Sequence, residues 1–370
     1  MEEPNLITKI RLFRLIKNGL LKTFDNITQC TESLCGIQSQ QLTSSYISLF
    51  NRVKDLDLNQ IKVQLEQERS IIRIWGIRHT LHLYSTKDWP IISAAVSDQK
   101  SWFEKKIKNV RNDNEIYKSS YNRIIRLVKN KGIISKEDIQ ECFPDKKSFD
   151  FFISPWGGIL IGLSSAGIIC SIQSSNKKRY FAERNFWLPN LKWRDISSEE
   201  ANENIFERYL SAYGPAGIED FAFWKNIPLG LARNIYDRLK KKVMIVKCEG
   251  KDLMMLSDEY DDFENFTVDH NSVLLLYRFD PLLLAYKDKS LLIDACDYKK
   301  IWRIAGIIEG SILINGFIVG SWKFVRKQKR IIFNVCLFKK IDNSQKLKIK
   351  EQLDKISIFL GYSIYDYYID

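Results

Sequence analysis

The stretches "KGIISKEDIQ" (131–140) and "GPAGIEDFAF" (214–223) are two versions of one device: a glycine-marked helix end, a short apolar step, and a second helix with an acidic residue early in its first turn. Each sits in the same surroundings. A helix-like run precedes it ("EIYKSSYNRIIRLVKNKG" and "EEANENIFERYLSAYG"), and a pair of strand-like runs closes the set ("SIQSSNKKRYFAE" and "VMIVKCEGKDLMMLS"). The first hundred residues follow the same order. "ITKIRLFRLI" and "LTSSYISLFNRV" carry apolar residues at helical spacing, Asp57 stands where it can cap "LNQIKVQLEQE", and "SIIRIW" and "HTLHLYS" read as a hairpin joined through Gly76. Repetition of a whole unit constrains topology more than any single element does. Helices followed by a two-stranded wing describe a winged helix, so three are expected in tandem, at 1–107, 108–192 and 193–262.

Ser135, with Asp138 three positions on, has the spacing of a capping box. "GGILIGLSSAGIIC" reads as a further helix of the second unit. The polar, acidic stretch "DEYDDFENFTVDHN" marks the next boundary. Beyond it lie strand-like runs ("SVLLLYRF", "SLLIDA", "GSILING", "FIVGSWKF", "RIIFNVCLF") and a closing helix, "SQKLKIKEQLDKISIFL". The expected fold class is therefore α+β, mainly helical, with a β-rich, barrel-like C-terminal domain at 263–370. Trp75, Trp102 and Trp156 are expected in the core.

A chain of 370 residues is long for one core, which agrees with several modules. Its formal net charge of +12 is spread along the whole length and forms no tail, which favours a long folded face for a polyanion, nucleic acid ahead of a membrane. Seven scattered cysteines with no CxxC pair fit a reducing cytoplasm, and with only His79, His82 and His270 available a metal centre is not expected. The start, "MEEPNLITKIRLF", lacks a signal-peptide pattern, and no apolar run reaches membrane-spanning length. No glycine-rich phosphate loop or nucleophile elbow is present. No cofactor is expected.

"CGIQSQQLTSS" (35–45) places Gln38 and Gln40 around Ser39, just before a helix-like run. Taken alone, the amides read most simply as a polar loop capping the helix that starts near Leu42. In the hairpin, Leu81 and Leu83 fall on one strand face and Thr80 and His82 on the other. Arg78, where that strand begins, suits a phosphate, and Arg73 on the preceding run is taken with it as a supporting DNA contact. If the leucines pack inward, Thr80 and His82 point towards the bound polyanion, and a histidine satisfied within the strand pair is nearly as good a reading of His82. Asp280 in "RFDP" reads as a turn aspartate before Pro281.

Five segments together resemble the AlkZ-like winged-helix DNA glycosylases, a family that includes YcaQ-like members: "GIQSQ", "RIWGIRHTLHL", "RYLSAYGPAGIEDFAFW", "RFDPLLLAYKDK" and "NGFIVGSWKF". They occur in the family's order and span nearly the whole chain. The resemblance implies three winged helices and a β domain wrapped as a basic channel around DNA. It also implies removal of alkylated bases, in some members from interstrand crosslinks. The family's catalytic motif, Gln-x-Gln in the AlkZ-like branch and Gln-x-Asp in the other, falls here on Gln38 and Gln40, with Ser39 where an apolar residue is usual.

An amide cannot act as a general base at neutral pH, but it donates and accepts hydrogen bonds, so two of them can hold one water near C1′. That suffices only for a weak glycosidic bond. An N7- or N3-alkylated purine is already cationic and departs neutral, so the pair points to such a lesion. The expected partner is duplex DNA bearing alkylated bases, bound by a monomer in the cytoplasm, with the nucleoid as its place of action. The alternative is a winged-helix regulator without catalysis, which would read one operator site as a dimer.

Overall fold

The computed structural model describes residues 5–97, 111–153, 158–173, 178–267, 271–328 and 330–369. Trp102, Trp156, His270 and the polar turn at 174–177 lie outside them, as does the boundary expected at 107/108. The chain divides into two compact units, one built from 1–61 with 206–370 and the other from 62–205. The fold is mixed α+β, about half helical, with several small sheets and a five-stranded sheet near the C-terminus.

The chain opens with helices α1 (Leu6–Lys17) and α2 (Ile27–Ser33), a short extended stretch β1 (Ile37–Gln38), and α3 (Leu42–Phe50). Helix α4 (Leu58–Glu66) starts where Asp57 accepts from Gln60 N at 2.8 Å, the cap expected from the sequence.

The second unit begins with the antiparallel pair β2 (Ile71–Trp75) and β3 (Leu81–Ser85), in register Arg73↔Leu83 and Ile74↔His82. Both strands are buried at every position, so alternation in the sequence does not become alternation in exposure. Helices α5 (Trp89–Val96) and α6 (Arg111–Lys131) follow. On α6, Tyr117, Tyr121, Ile124 and Val128 recur at helical spacing and pack on a core that holds Trp75, Leu81, Phe152 and Phe181. Gly132, at φ 74°, ends α6, and β4 (Ile133–Ile134) leads into α7 (Lys136–Gln140). The capping box is present: Asp138 Oδ2 accepts from Ser135 N at 2.7 Å, and Asp138 N donates to Ser135 Oγ at 3.1 Å. After α8 (Lys146–Ile153) comes α9 (Ile159–Ser165), which stops earlier than the sequence suggests. Gly167 turns left-handed there, and Ile169 and Cys170 join β5 (Ile169–Gln173), which pairs with β6 (Arg179–Glu183).

The repeated device takes the same form twice. Strand β4 pairs with β6, the second strand of its hairpin. In the other copy, α10 (Ser198–Tyr213) leads to Ala216, which exchanges both backbone bonds with Met254 at 2.9 and 2.8 Å. Helices α11 (Ile218–Lys225) and α12 (Leu229–Leu239) follow, then the hairpin β7 (Val243–Cys248) and β8 (Lys251–Leu256), to which Met254 belongs. Its turn, Glu249-Gly250, has φ 48° and 73°, the doubly left-handed geometry that matches strand twist.

Strands β9 (Val273–Leu276), β10 (Gly310–Ile314), β11 (Phe317–Lys327), β12 (Arg330–Leu337) and β13 (Ile364–Ile369) lie side by side in chain order. Strand β13 runs parallel to β12 across α13 (Asn343–Phe359), whose Ile349, Leu353 and Ile356 cover the sheet core. The sequence reading missed β13 and placed a strand at "SLLIDA". There, Leu292 N and Ile293 N both donate to Lys289 O, so the segment forms turns that bury Leu291, Leu292 and Ile293 without joining a ladder.

Helix α3 is fixed to this C-terminal part. Ile47 enters the sheet core, Phe50 stacks on Phe359 at 4.4 Å, and Asn51 Nδ2 donates to Leu275 O at 2.9 Å. Beneath these contacts Arg52 and Asp280, both fully buried, pair through Nη1–Oδ2 at 2.8 Å and Nη2–Oδ1 at 2.7 Å. Arg52 also donates to Asn18 Oδ1 and to Ser48 O, and Ser48 Oγ donates to Asp280. Burial works to lower the Arg52 pKa, but the charge and hydrogen bonds of Asp280 outweigh it and raise the pKa overall. Removing one partner strands a buried charge, which costs about 3–5 kcal/mol. Asp280→Asn should lower the unfolding free energy of this unit by about that much in urea, and Arg52→Met/Asp280→Leu by less than the sum of its single changes. Additive losses would show that the two side chains act independently.

Candidate active site

The Gln38–Ser39–Gln40 stretch is set by the two elements that flank it. Helix α2 ends in a left-handed pair, Cys35 (φ 52°) and Gly36 (φ 87°). Gly36 N donates to Thr31 O at 2.8 Å and Cys35 N to Glu32 O at 3.2 Å, the double closure that uses up a helix's last carbonyls. Tyr213 Oη donates to Leu34 O at 3.0 Å and fixes the same corner. The chain leaves it extended, with Gln38 buried, Ser39 fully buried and Gln40 half-buried.

Ser39 Oγ lies 3.0 Å from Ser45 Oγ. Ser45 donates to Leu42 O at 2.9 Å, so the Ser39 hydroxyl is the donor to Ser45. The residue between the two glutamines is thereby tied to the first turn of α3. Ser48 and Arg52 hold the far end of that helix to Asp280. The amides thus extend from backbone pinned on both sides. Cys30, on α2, is buried, and burial pushes its thiol up to about 12, so it is no nucleophile.

Asp280 accepts from Leu282 N at 3.0 Å and caps a short helix, α14 (Pro281–Leu284), which is the turn role expected for it. Its pairing with Arg52 was not expected. Among the described residues there is no group of three His, Cys, Asp or Glu suited to a metal ion.

Arg73, Arg78, Thr80 and His82 belong to the other unit. Arg73 is buried on β2. Between the strands, Arg78 (φ 60°) and His79 (φ 54°) are consecutive left-handed residues, a costly conformation outside glycine. Gly76 is required here, because a Cβ would sit 2.3 Å from Tyr84 Oη, which accepts from Ile77 N at 3.1 Å.

This turn brings Arg78, Thr80 and His82 together. His82 Nδ1 lies 2.9 Å from Thr80 O, and Arg78 Nη2 lies 3.3 Å from His82 Nε2. The carbonyl can only accept and the guanidinium can only donate, so the ring is the neutral tautomer protonated at Nδ1. Burial, then the charge of Arg78, lowers the His82 pKa to about 3, against a smaller opposing effect of the Thr80 carbonyl. His82 is only 3% exposed and stacks beside Tyr84 at 5.4 Å, so it supports the turn from within.

A family model described as DNA glycosylase AlkZ-like matches residues 31–356. An interstrand DNA cross-link repair glycosylase of Streptomyces sahachiroi is 22% identical over 312 residues, spanning 80% of this chain and 81% of that protein. The solved structure of the Streptomyces sahachiroi DNA glycosylase AlkZ matches with a TM-score of 0.81 at 19% identity, covering 98% of this chain and 99% of that one. At that identity the structural likeness speaks to fold alone, but the family match extends over most of the sequence. The chain belongs to the AlkZ-like DNA glycosylase family.

Proposed function

We propose that this chain hydrolyses the N-glycosidic bond of cationic N7- or N3-alkylated purines in duplex DNA, with Gln38 and Gln40 holding the attacking water. The observation that carries this reading is the pinned Gln-x-Gln stretch, in which the buried Ser39 anchors the backbone between the amides to Ser45. Positioned amides lower a barrier by orientation and by directing carbonyl dipoles at the developing sugar cation. They supply no strong base, so the lability must come from the substrate. The chain would then act as a monomer of the Gln-x-Gln branch. Its repeated units would serve as three winged helices (1–107, 108–192, 193–262), with the β domain from 263 as a barrel-like closure and Arg78 and Thr80 as the supporting DNA-contact region, held from within by the buried Arg73 and His82. The similarity to a cross-link repair glycosylase extends the proposal to unhooking of interstrand crosslinks.

Gln40→Ala should leave DNA affinity nearly unchanged and slow release of N7-methylguanine by on the order of ten- to a thousandfold. Gln38→Ala should act in the same direction. Full activity in the double variant would move catalysis elsewhere, and a wild-type protein that protects one operator-like sequence without releasing base would be a regulator.

The same chemistry limits what is cut. Uracil and 8-oxoguanine should be poor substrates, and the product should be an abasic site on an intact strand. The motif offers no lysine for a Schiff base, so borohydride should trap no protein–DNA adduct. A trapped adduct would refute the water-positioning role.

Neither the amides nor His82 changes charge near neutrality. His82 should show no NMR titration between about pH 5 and 8, and with three histidines in the chain, His82→Gln identifies its signal. The folded value of about 3 lies below the ordinary 6.5, so the unfolded chain takes up the proton first. The stability His82 contributes is fully present above about pH 6.5 and declines as pH falls towards 3. A His82 midpoint near 6.5 would contradict the neutral, buried ring.

A further inference from the structure

The loop that leads into β10 carries the most exposed large apolar side chain among the described residues. Ile304 is 94% exposed, and Ile307 beside it 43%. A lone exposed apolar residue is ordinary and says nothing by itself. This one stands on a pinned base. Trp302 and Ile308 form an antiparallel bridge, Arg303 N donates to Ile307 O at 2.9 Å, and Glu309 N donates to Ile301 O at 3.0 Å. Behind them Trp302 Nε1 donates to Leu283 O at 3.2 Å, and the indole stacks on Tyr298 at 5.2 Å. Leu283 belongs to α14, the short helix that Asp280 caps, so the loop is tied to the same ion pair that holds α3. Gly306, at φ 72°, turns the tip.

Two further observations bear on what meets this tip. The first is charge. Glu309 accepts from Arg278 at 2.7 Å and from Arg303 at 3.3 Å, while Lys299 and Lys300 stand exposed just before the loop, the second paired with Asp297. The cations outnumber the carboxylates, a surplus that suits a polyanion and not an apolar protein surface. The second is place. Gly310 pairs with Trp322, so the loop opens from the end of the sheet towards which β11 runs on to Arg326. At that end Tyr277 stacks on Phe324 at 5.0 Å, and Arg326 reaches Thr43 Oγ1, three residues past Gln40, at 3.4 Å. The loop and the glutamine motif therefore share one end of the sheet within one unit.

We propose that Ile304 is a wedge that enters the base stack of duplex DNA beside the lesion presented to Gln38 and Gln40. Chemistry on a base within a duplex requires the stack to open, and an apolar side chain inserted at a base step holds it open. Isoleucine suits this role, because its branched Cβ leaves few rotamers to lose on insertion. Its apolar surface then lies between bases instead of in water. The assignment rests on the reading that this chain works on DNA, and goes beyond it by naming the side chain that opens the stack.

Because Ile304 is almost wholly exposed, Ile304→Ala should fold as the wild type does. The probe is a duplex with N7-methylguanine on a 2′-fluoroarabino sugar, whose fluorine slows loss of the base. 2-Aminopurine, which brightens when it loses stacking, is placed on one side of the lesion or the other. Saturating wild-type protein should raise the emission several-fold in one of these duplexes, and Ile304→Leu should keep the rise. Ile304→Ala should lose most of it and bind that duplex about ten- to fiftyfold more weakly, the worth of the apolar groups no longer buried. An equal rise in wild type and Ile304→Ala, or its loss in Ile304→Leu as well, would overturn the wedge. No rise with the wild type would also overturn it and leave the loop to a protein partner. Release of N7-methylguanine from the ordinary nucleotide is measured in parallel. Release without an Ile304-dependent rise removes the wedge alone, whereas such a rise without release keeps the wedge and removes the proposed catalysis.

Discussion

The pairing of Arg52 with Asp280 holds together parts of the chain 228 residues apart. Two buried charges cost several kcal/mol to desolvate, and their mutual attraction offsets this only with good geometry and with their other hydrogen-bonding sites filled. Both conditions hold here. The guanidinium meets both carboxylate oxygens and uses its remaining donors on Asn18 and on the Ser48 carbonyl. The carboxylate also accepts from Ser48 and from the backbone of Leu282. A helix, a turn and the corner after α1 therefore converge on one ion pair, and a shift in any of them strands a charge.

That constraint reaches the proposed catalytic residues through α3. The ion pair and the Phe50–Phe359 stack fix one end of the helix, and the Ser39–Ser45 contact joins its other end to the backbone between the glutamines. Amides need this support more than carboxylates would. A charged base acts over some distance, whereas a hydrogen bond to water weakens steeply with angle. If Gln38 and Gln40 act by placing a water, the precision of the site resides in the helix behind them.

Local chemistry made much of the fold legible. The caps at Asp57 and Ser135 and the repeated passage from helix end to new helix depend on residues within a few positions of one another. What stayed hidden is non-local. "IYDYYI" carries charge and tyrosine hydroxyls and becomes a strand only because α13 returns the chain beside β12. "SLLIDA" is apolar enough for a strand, but burial alone does not distinguish a ladder from a packed turn. At the site, the glutamine motif and the hairpin residues could be named from sequence. The neutral state of His82 depends on a turn with two left-handed residues, and the Arg52–Asp280 pair leaves no trace near either residue. Ser39 looked like a departure from an apolar position, and its partner six residues on explains how a hydroxyl is tolerated there.

The electrostatics of the motif bear on substrate choice. A cationic purine that leaves as a neutral base transfers its positive charge to the sugar, so the charge moves by a few ångströms and does not appear anew. A site that stabilised the cation on the base would bind the substrate and slow it. Neutral amides with carbonyl dipoles aimed at C1′ favour the charge after it has moved, and water held between them adds as it forms. A carboxylate would attract the charge in both places and would also assist neutral lesions by accepting a proton. On the proposed reading, the absence of charge at Gln38 and Gln40 is what restricts the enzyme to bases that bring their own.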